Sequence, residues 1–303
     1  MITVKNYLSH FDAAGFVDLC QKDLISAMSN NSKKGIVFGA SGGIDSLATA
    51  ALCIKAARKG TTWPVMGLQM IDSRVRGESY HPEVYRKLGV ELIKIDITKE
   101  AIEREKHLHM PPRWLTVFLM KLVLRRLPVR SRRWLILQLK SGKAPQWGLS
   151  HLNLLTLLHR LRIARLREFA TTRELMVVIC ANRTEASLGY FVEQGVDDTR
   201  MGDWAPISGL YKTQVKMVAR YLRLPDEIIR QRPSPGFGGV YDEEILGPYE
   251  LVDPILIGFN LGYTDERLGR WVASRKEGPG AKESYRYVQF LRELSQIGAQ
   301  KGI

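Results

Sequence analysis

The chain has 303 residues, 45% hydrophobic and 25% charged, which is enough apolar material for a substantial core and excludes a disordered tail or a tiny stapled module. Its three cysteines, Cys20, Cys53 and Cys180, are widely spaced and form no CxxC pair, so neither a disulfide framework nor a thiolate metal site is indicated; they are expected to be reduced and mostly buried. The formal net charge of +14 is local: Lys106 to Arg167 holds 14 Lys and Arg and no Asp or Glu, leaving 31 residues of each sign elsewhere. That favours an anionic partner for this segment over nucleic-acid binding by the whole protein.

The first residues lack a secretory pattern and no apolar run reaches the roughly 18 residues of a membrane span, so a cytoplasmic protein is expected. Leu8, Phe11, Ala14, Val17, Leu24, Ile25 and Met28 recur near helical spacing and predict a helix over residues 5–29, broken at Asn30-Asn31-Ser32. Gly35 to Gly39 reads as a strand and Ile44 to Arg58 as a helix without breakers. Val65 to Met70 and Glu91 to Ile95 read as two further strands around a helix from Ser79 to Leu88, ended by Gly89. A basic helix around Leu157 to Thr171 leads into a fourth strand, Leu175 to Cys180. Alternating strands and helices predict an α/β fold with a parallel, Rossmann-like sheet flanked by helices, whose ligand site lies where the strands end.

Residues 106–157 depart from this plan, mixing Trp114, Phe118, Trp134 and Trp147 with arginines and prolines, and are read as a basic aromatic insertion within a single domain spanning 1–303. The blandest reading is a helical excursion with buried tryptophans and solvated arginines. An anionic membrane surface, RNA and a lid over a phosphorylated substrate are the other readings. Pro233 to Gly239 suggests a mobile loop over the site, and residues 255–303 a C-terminal helical extension.

Three constellations carry chemistry. Ser41-Gly42-Gly43-Ile44-Asp45-Ser46 sits between a strand and a helix, where backbone N–H groups and the positive helix end favour polyanions. The glycines let the backbone close on phosphates, Ser41 and Ser46 offer hydroxyls, and Asp45 offers a carboxylate for Mg²⁺. It is neither a GxxxxGK[ST] loop nor a GxGxxG turn; the competing reading is an ordinary Gly-rich turn. Asn182 to Phe191 follows the fourth strand, so Glu185 can face Asp45 and share a metal ion, although the pattern also fits a capped surface helix. Lys212, in Gly209 to Gln214, could reach a phosphate; a solitary helix lysine is usually solvated.

Together these segments resemble the NAD synthetases of the PP-loop ATP pyrophosphatase superfamily, over about residues 35–100 and 157–256. The resemblance is most specific in SGGIDS, NRTEASLGYF, GLYKTQ with VARYLRLP, and RPSPG followed by DEEILG. It implies an adenine nucleotide alpha hydrolase-like fold and amidation of the nicotinate carboxylate of deamido-NAD with ATP, Mg²⁺ and ammonia, through an acyl-adenylate. By position it implies that Gly39, Ala40, Ser41, Gly42, Gly43, Ile44, Asp45 and Ser46 grip ATP. Asp45 and Glu185 would bind Mg²⁺, and Lys212 and Ser234 would contact ATP. Arg160, Asp203 and, at the nearest match, Lys276 would contact the carboxylate substrate. The family also implies a homodimer whose interface borders the shorter equivalent of the insertion. Departures fall on the substrate side: Cys180 stands for a threonine near ATP and Glu193 for a substrate-binding lysine. Another small carboxylate is therefore an alternative substrate; a tRNA base, as adenylated by other members of the superfamily, with the basic insertion binding the RNA, is a second. The resemblance covers no glutaminase region, so ammonia is expected free or from a separate glutaminase.

Overall fold

The computed structural model describes residues 8, 10–59, 63–75, 80–108, 110–234, 241–275 and 280–300. Strands β1 (Gly35–Gly39), β2 (Val65–Ile71), β3 (Glu91–Asp96) and β4 (Leu175–Val178) form one parallel sheet in the order β3-β2-β1-β4. Up to β4 the helices are α1 (Ala13–Asn31), α2 (Ile44–Ala57), α3 (Pro82–Leu88), α4 (Thr98–Lys106), α5 (Arg113–Arg126), α6 (Val129–Lys140) and α7 (Gln146–Arg173). After it come α8 (Arg183–Ser187), α9 (Lys212–Tyr221), α10 (Asp226–Arg230), α11 (Asp242–Ile245), α12 (Tyr249–Asn260), α13 (Asp265–Ala273) and α14 (Ala281–Gln300).

The predicted α/β plan holds, with shifted boundaries. Helix α1 starts at Ala13, where Asp12 caps it by accepting a hydrogen bond from the Gly15 amide at 2.9 Å; residues 5–7 and 9 of the expected helix lie outside the described residues. Helix α3 starts at Pro82, after His81 at φ 44°, so Tyr80 and His81 lie outside it; it ends where Gly89, at φ 97°, returns its amide to Tyr85 and Arg86. Strand β4 stops at Val178, two residues early, because the chain there turns to pair with another segment: the Ile179 amide donates to the Trp204 carbonyl at 2.9 Å. The basic helix is the C-terminal part of the 28-residue α7. The C-terminal group of helices, α11 to α14, begins at Asp242, ahead of the expected residue 255.

Strand alternation sorts the core. Ile36 and Phe38 of β1 pack with Leu24, Leu47, Val215 and Val218 on the face covered by α1, α2 and α9. Val37 points the other way, toward Ala101, Leu161 and Leu166 of α4 and α7. Tyr249, Leu256, Leu268, Phe290 and Leu291 form a third cluster among the C-terminal helices. The chain moves outward from β1 to β3 and returns through α7 to β4 on the other side of β1. The ends of β1 and β4 therefore diverge into a crevice, the usual ligand position in such sheets.

Glycine at 298 couples the last helix to this crevice. A Cβ there would lie 2.6 Å from the Gly189 amide nitrogen and 2.9 Å from the Ser187 carbonyl, just after α8. In Gly298→Ala the gain in helix propensity is about 1 kcal/mol, while the forced displacement costs about 1–3 kcal/mol. The larger effect sets the sign: the urea midpoint should fall at unchanged m-value.

Candidate active site

The loop after β1, the loop after β4 and the start of α9 meet at one cavity of about 520 Å³. Gly39, Ala40, Ser41, Gly43, Ile44, Asp45 and Ser46 line it, as do Cys180, Glu185, Lys212 and Ser234. Gly42 does not: at φ 83° its amide turns away and donates to the Tyr85 hydroxyl at 3.1 Å. That hydroxyl also bonds Ser46 Oγ at 2.7 Å, and Ser46 Oγ lies 3.0 Å from Ser41 Oγ. Tyr85, on α3, thus braces the loop from below. Nothing in its sequence surroundings marks it, because the contact joins residues 43 positions apart.

Lys212 is only 2% exposed, contrary to the solvated reading. Its Nζ contacts Asp45 Oδ2 and lies 3.5 Å from Glu185 Oε1. Burial opposes its charge, but Asp45 and then Glu185 outweigh it, so the ammonium pKa is raised. Asn182 connects the two carboxylates. Its Nδ2 donates to Asp45 Oδ1 at 3.1 Å, and its Oδ1 accepts from the Glu185 amide at 3.1 Å in a capping box. The capped-helix reading therefore holds for Glu185, whose carboxylate also faces Lys212 in the cavity. Burial, opposed by Lys212 and aided by Asp45, raises its carboxyl pKa to about 8. Burial likewise pushes the Cys180 thiol up to about 12, keeping it neutral and no nucleophile. All three cysteines are free thiols, Cys180 only partly buried.

A second layer escaped the sequence reading. Asp253, fully buried in α12, accepts from Thr184 Oγ1 at 2.6 Å and the Thr213 amide at 2.7 Å, while Thr184 Oγ1 takes the Lys212 amide at 2.9 Å. Asp242, on the cavity wall, accepts from the hydroxyls of Tyr249 at 2.8 Å and Tyr190 at 3.3 Å. DEEILG contains Asp242, but only the fold shows what it touches.

Of the expected substrate contacts, Arg160 and Asp203 do not line this cavity. Arg160 is exposed and reaches the Glu193 carbonyl at 3.4 Å. Two residues along a helix is about 200° round its axis, so the cavity instead receives His159 and Arg162. Asp203 binds the outer edge of β4, accepting from the Val177 amide at 2.8 Å. Lys276 and residues 235–240 of the predicted loop lie outside the described residues; Pro233 and Ser234 border the cavity. The insertion supplies the far wall through α5, α6 and α7, including Thr116, Val123, Ile136, Leu139 and His151. The excursion is helical and Arg125, Arg126 and Arg130 are exposed as the bland reading expects, but its tryptophans and Arg113 are not placed as it expects. Trp114, Trp134 and Trp147 are exposed, whereas Arg113 is buried and donates to the Leu154 and Leu155 carbonyls at 2.8 and 3.3 Å.

Asp45 and Glu185 fit Mg²⁺ by their chemistry. Both are hard oxygen donors open to the cavity, and no group of three or more His, Cys, Asp or Glu among the described residues forms a closed cage. Mg²⁺ commonly takes one or two carboxylates and completes its shell with phosphate and water.

The family model described as NAD synthase matches residues 17–114 and 138–278. The chain belongs to the NAD synthase family. It is 31% identical to the NH(3)-dependent NAD(+) synthetase of Mesorhizobium japonicum over 92% of this chain and 91% of that one. It is 29% identical to the enzyme of the same description from Coprothermobacter proteolyticus, over 81% and 84%. In fold it is similar to the NH3-dependent NAD synthetase of Campylobacter jejuni, with a TM-score of 0.65 at 19% identity over 97% of both chains.

Burial raises the Asp253 carboxyl to about 6, more than its hydrogen bonds from Thr184 and Thr213 lower it. Between pH 4 and 6 the folded state therefore holds a proton that the unfolded state releases, and this group's contribution to stability declines as pH rises. Asp253→Asn removes that titration. From pH 4 to pH 7 the stability of the natural protein relative to the variant should fall by about 2.4 kcal/mol, at about 1.4 kcal/mol per pKa unit, as read from urea unfolding at each pH.

Proposed function

We propose that this NAD synthase family member is an ammonia-dependent carbon–nitrogen ligase that amidates deamido-NAD to NAD, converting ATP to AMP and pyrophosphate. The observation that carries the reading is the Lys212 ammonium held between Asp45 and Glu185 beside the Gly39–Ser46 loop, in a chain matched by the NAD synthase model. The loop amides that face the cavity hold the ATP phosphates, and Lys212 adds a fixed positive charge there. Asp45 and Glu185 would hold Mg²⁺, which when bound neutralises charge on the departing pyrophosphate.

The substrate carboxylate oxygen attacks the α-phosphorus, the bond to the β-phosphate oxygen breaks, and pyrophosphate leaves. Ammonia then adds to the acyl carbon, loses a proton, and AMP departs as the amide forms. The protein needs no nucleophile of its own for either step, consistent with a neutral, part-buried Cys180. Free ammonia as nitrogen source is supported by the names of the relatives. His159 and Arg162 are among the polar groups that line the cavity, where the substrate's phosphates would lie. A homodimer is part of the reading by family resemblance.

Purified protein with ATP, Mg²⁺, ammonium and deamido-NAD should form NAD, AMP and pyrophosphate in equal amounts. Asp45→Asn, Glu185→Gln and Lys212→Met should each lower kcat on the order of 10²–10³-fold, the usual cost of one preorganised charge. AMP and pyrophosphate without NAD, or full turnover in the variants, would overturn the assignment.

A further inference from the structure

We propose that the outer face of α5 and α6 docks this protein onto an anionic lipid bilayer. Of the eleven large apolar side chains exposed among the described residues, eight fall between Trp114 and Trp147, so the exposure is concentrated in the insertion. On α5, Trp114, Phe118 and Leu122 recur every four residues, forming one stripe, with Arg125 and Arg126 a turn further on. Trp114 is 69% exposed and Phe118 57%; Trp134 on α6 is 61% exposed. Leu127, between the helices, and Val129, the first residue of α6, are exposed as well. The opposite stripe of α5, with Thr116, Met120 and Val123, faces the active-site cavity. Its inner face is thus accounted for, and its outer face is covered by no described element.

Charge selects the occupant. Lys106 to Arg167 contains no Asp or Glu. Three of its cations turn inward as anchors: Arg113 as above, Arg133 to Glu283 at 2.6 Å, and Lys140 to the Gly189 carbonyl at 2.9 Å. Arg125, Arg126 and Arg130 are exposed and pair with no described carboxylate. A second copy packed on this face about a two-fold axis would set these arginines against themselves without a carboxylate from the same segment. RNA would engage the arginines and aromatic rings but leave Leu122, Leu127 and Val129 in water. An anionic bilayer satisfies both features, taking the apolar stripe into its interface while arginine and tryptophan sit at the headgroups. No described helix is long and apolar enough to cross a membrane, so α5 and α6 would lie on the surface. The stripe also falls in residues 115–137, between the two segments matched by the NAD synthase model, with Trp114 at its edge. The docking face is an addition to the shared catalytic frame.

The full chain should co-sediment with vesicles of phosphatidylcholine plus phosphatidylglycerol at low salt, bind pure phosphatidylcholine vesicles weakly, and be released at high salt. Arg125→Gln/Arg126→Gln/Arg130→Gln should lower partitioning on the order of a hundredfold, and Trp114→Ser/Phe118→Ser/Leu122→Ser at least about tenfold. These side chains are exposed and outside the cavity, so both triple variants should keep their melting temperature and their ATP-dependent pyrophosphate release. Equal binding to both vesicle types, or binding untouched by the variants, overturns the proposal. So does absence of vesicle binding together with a dimer abolished by the stripe variant, or with salt-sensitive binding of single-stranded RNA. None of these outcomes depends on which carboxylate the enzyme amidates.

Discussion

The Lys212 ammonium between Asp45 and Glu185 is the contact on which the arrangement of the active site depends, because it joins three segments that the fold brings together from far apart in sequence: the loop after β1, the start of α8 and the start of α9. Removing such charges from water costs several kcal/mol per ion, so the cluster persists only if it is internally compensated. Asp45 and Glu185 both sit in the first turn of a helix, where backbone N–H groups and the helix dipole favour carboxylates. Lys212 also opens a helix, where the dipole disfavours a cation; its charge is held by the two carboxylates, with the Tyr249 ring 5.5 Å away adding a cation–π contact. The result is a positive group fixed at a cavity wall whose nearest anions suit a divalent cation.

Around this centre the backbone is secured by groups that never face the ligand. Asp253 ties Thr184 to Thr213, so the residues immediately before Glu185 and after Lys212 are fastened to α12 by one buried carboxylate. Tyr85 does the same for the loop after β1, binding the Gly42 amide and the Ser46 hydroxyl. Both devices replace water at polar groups that the core would otherwise leave unsatisfied, which is why an acid and a phenol are tolerated at full burial. Preorganisation of the loop and carboxylates therefore comes from the third apolar cluster and from α3 as much as from the sheet.

The parallel sheet, the cavity-lining loop after β1 and the capped position of Glu185 were legible because each is written locally: apolar runs of strand length, glycines at a strand-to-helix turn, and an Asn-x-x-Glu capping pattern. Tyr85 and Asp253 were not, since their meaning lies in partners 43 and 69 positions away. Arg160 shows another limit. The tract Arg160-Leu161-Arg162 offers two arginines, and helix phase alone decides that the second faces the cavity while Leu161 enters the core. The tryptophans of the insertion misled for a related reason. Hydrophobicity favours burial, but α5 is apolar on more than one side and a helix has only one inward face.

That excess of apolar surface gives α5 two environments at once. Its N-terminal end is pinned by Arg113, whose buried guanidinium is satisfied by the Leu154 and Leu155 carbonyls and whose pKa burial lowers. The Thr116 hydroxyl and His151 Nδ1, 3.0 Å apart, hold the next turn against α7. Beyond Val123 the helix runs out into exposed Arg125 and Arg126, and the chain returns through α6, secured by Arg133 against Glu283, Tyr287 and Phe290. Both ends of the excursion are thus fastened to the body by cations, while the span between them carries the exposed apolar stripe. Because the inner stripe of that span is also the cavity wall, any surface that takes up the outer stripe acts on the same helix that borders the cavity, without needing contact with the loop after β1.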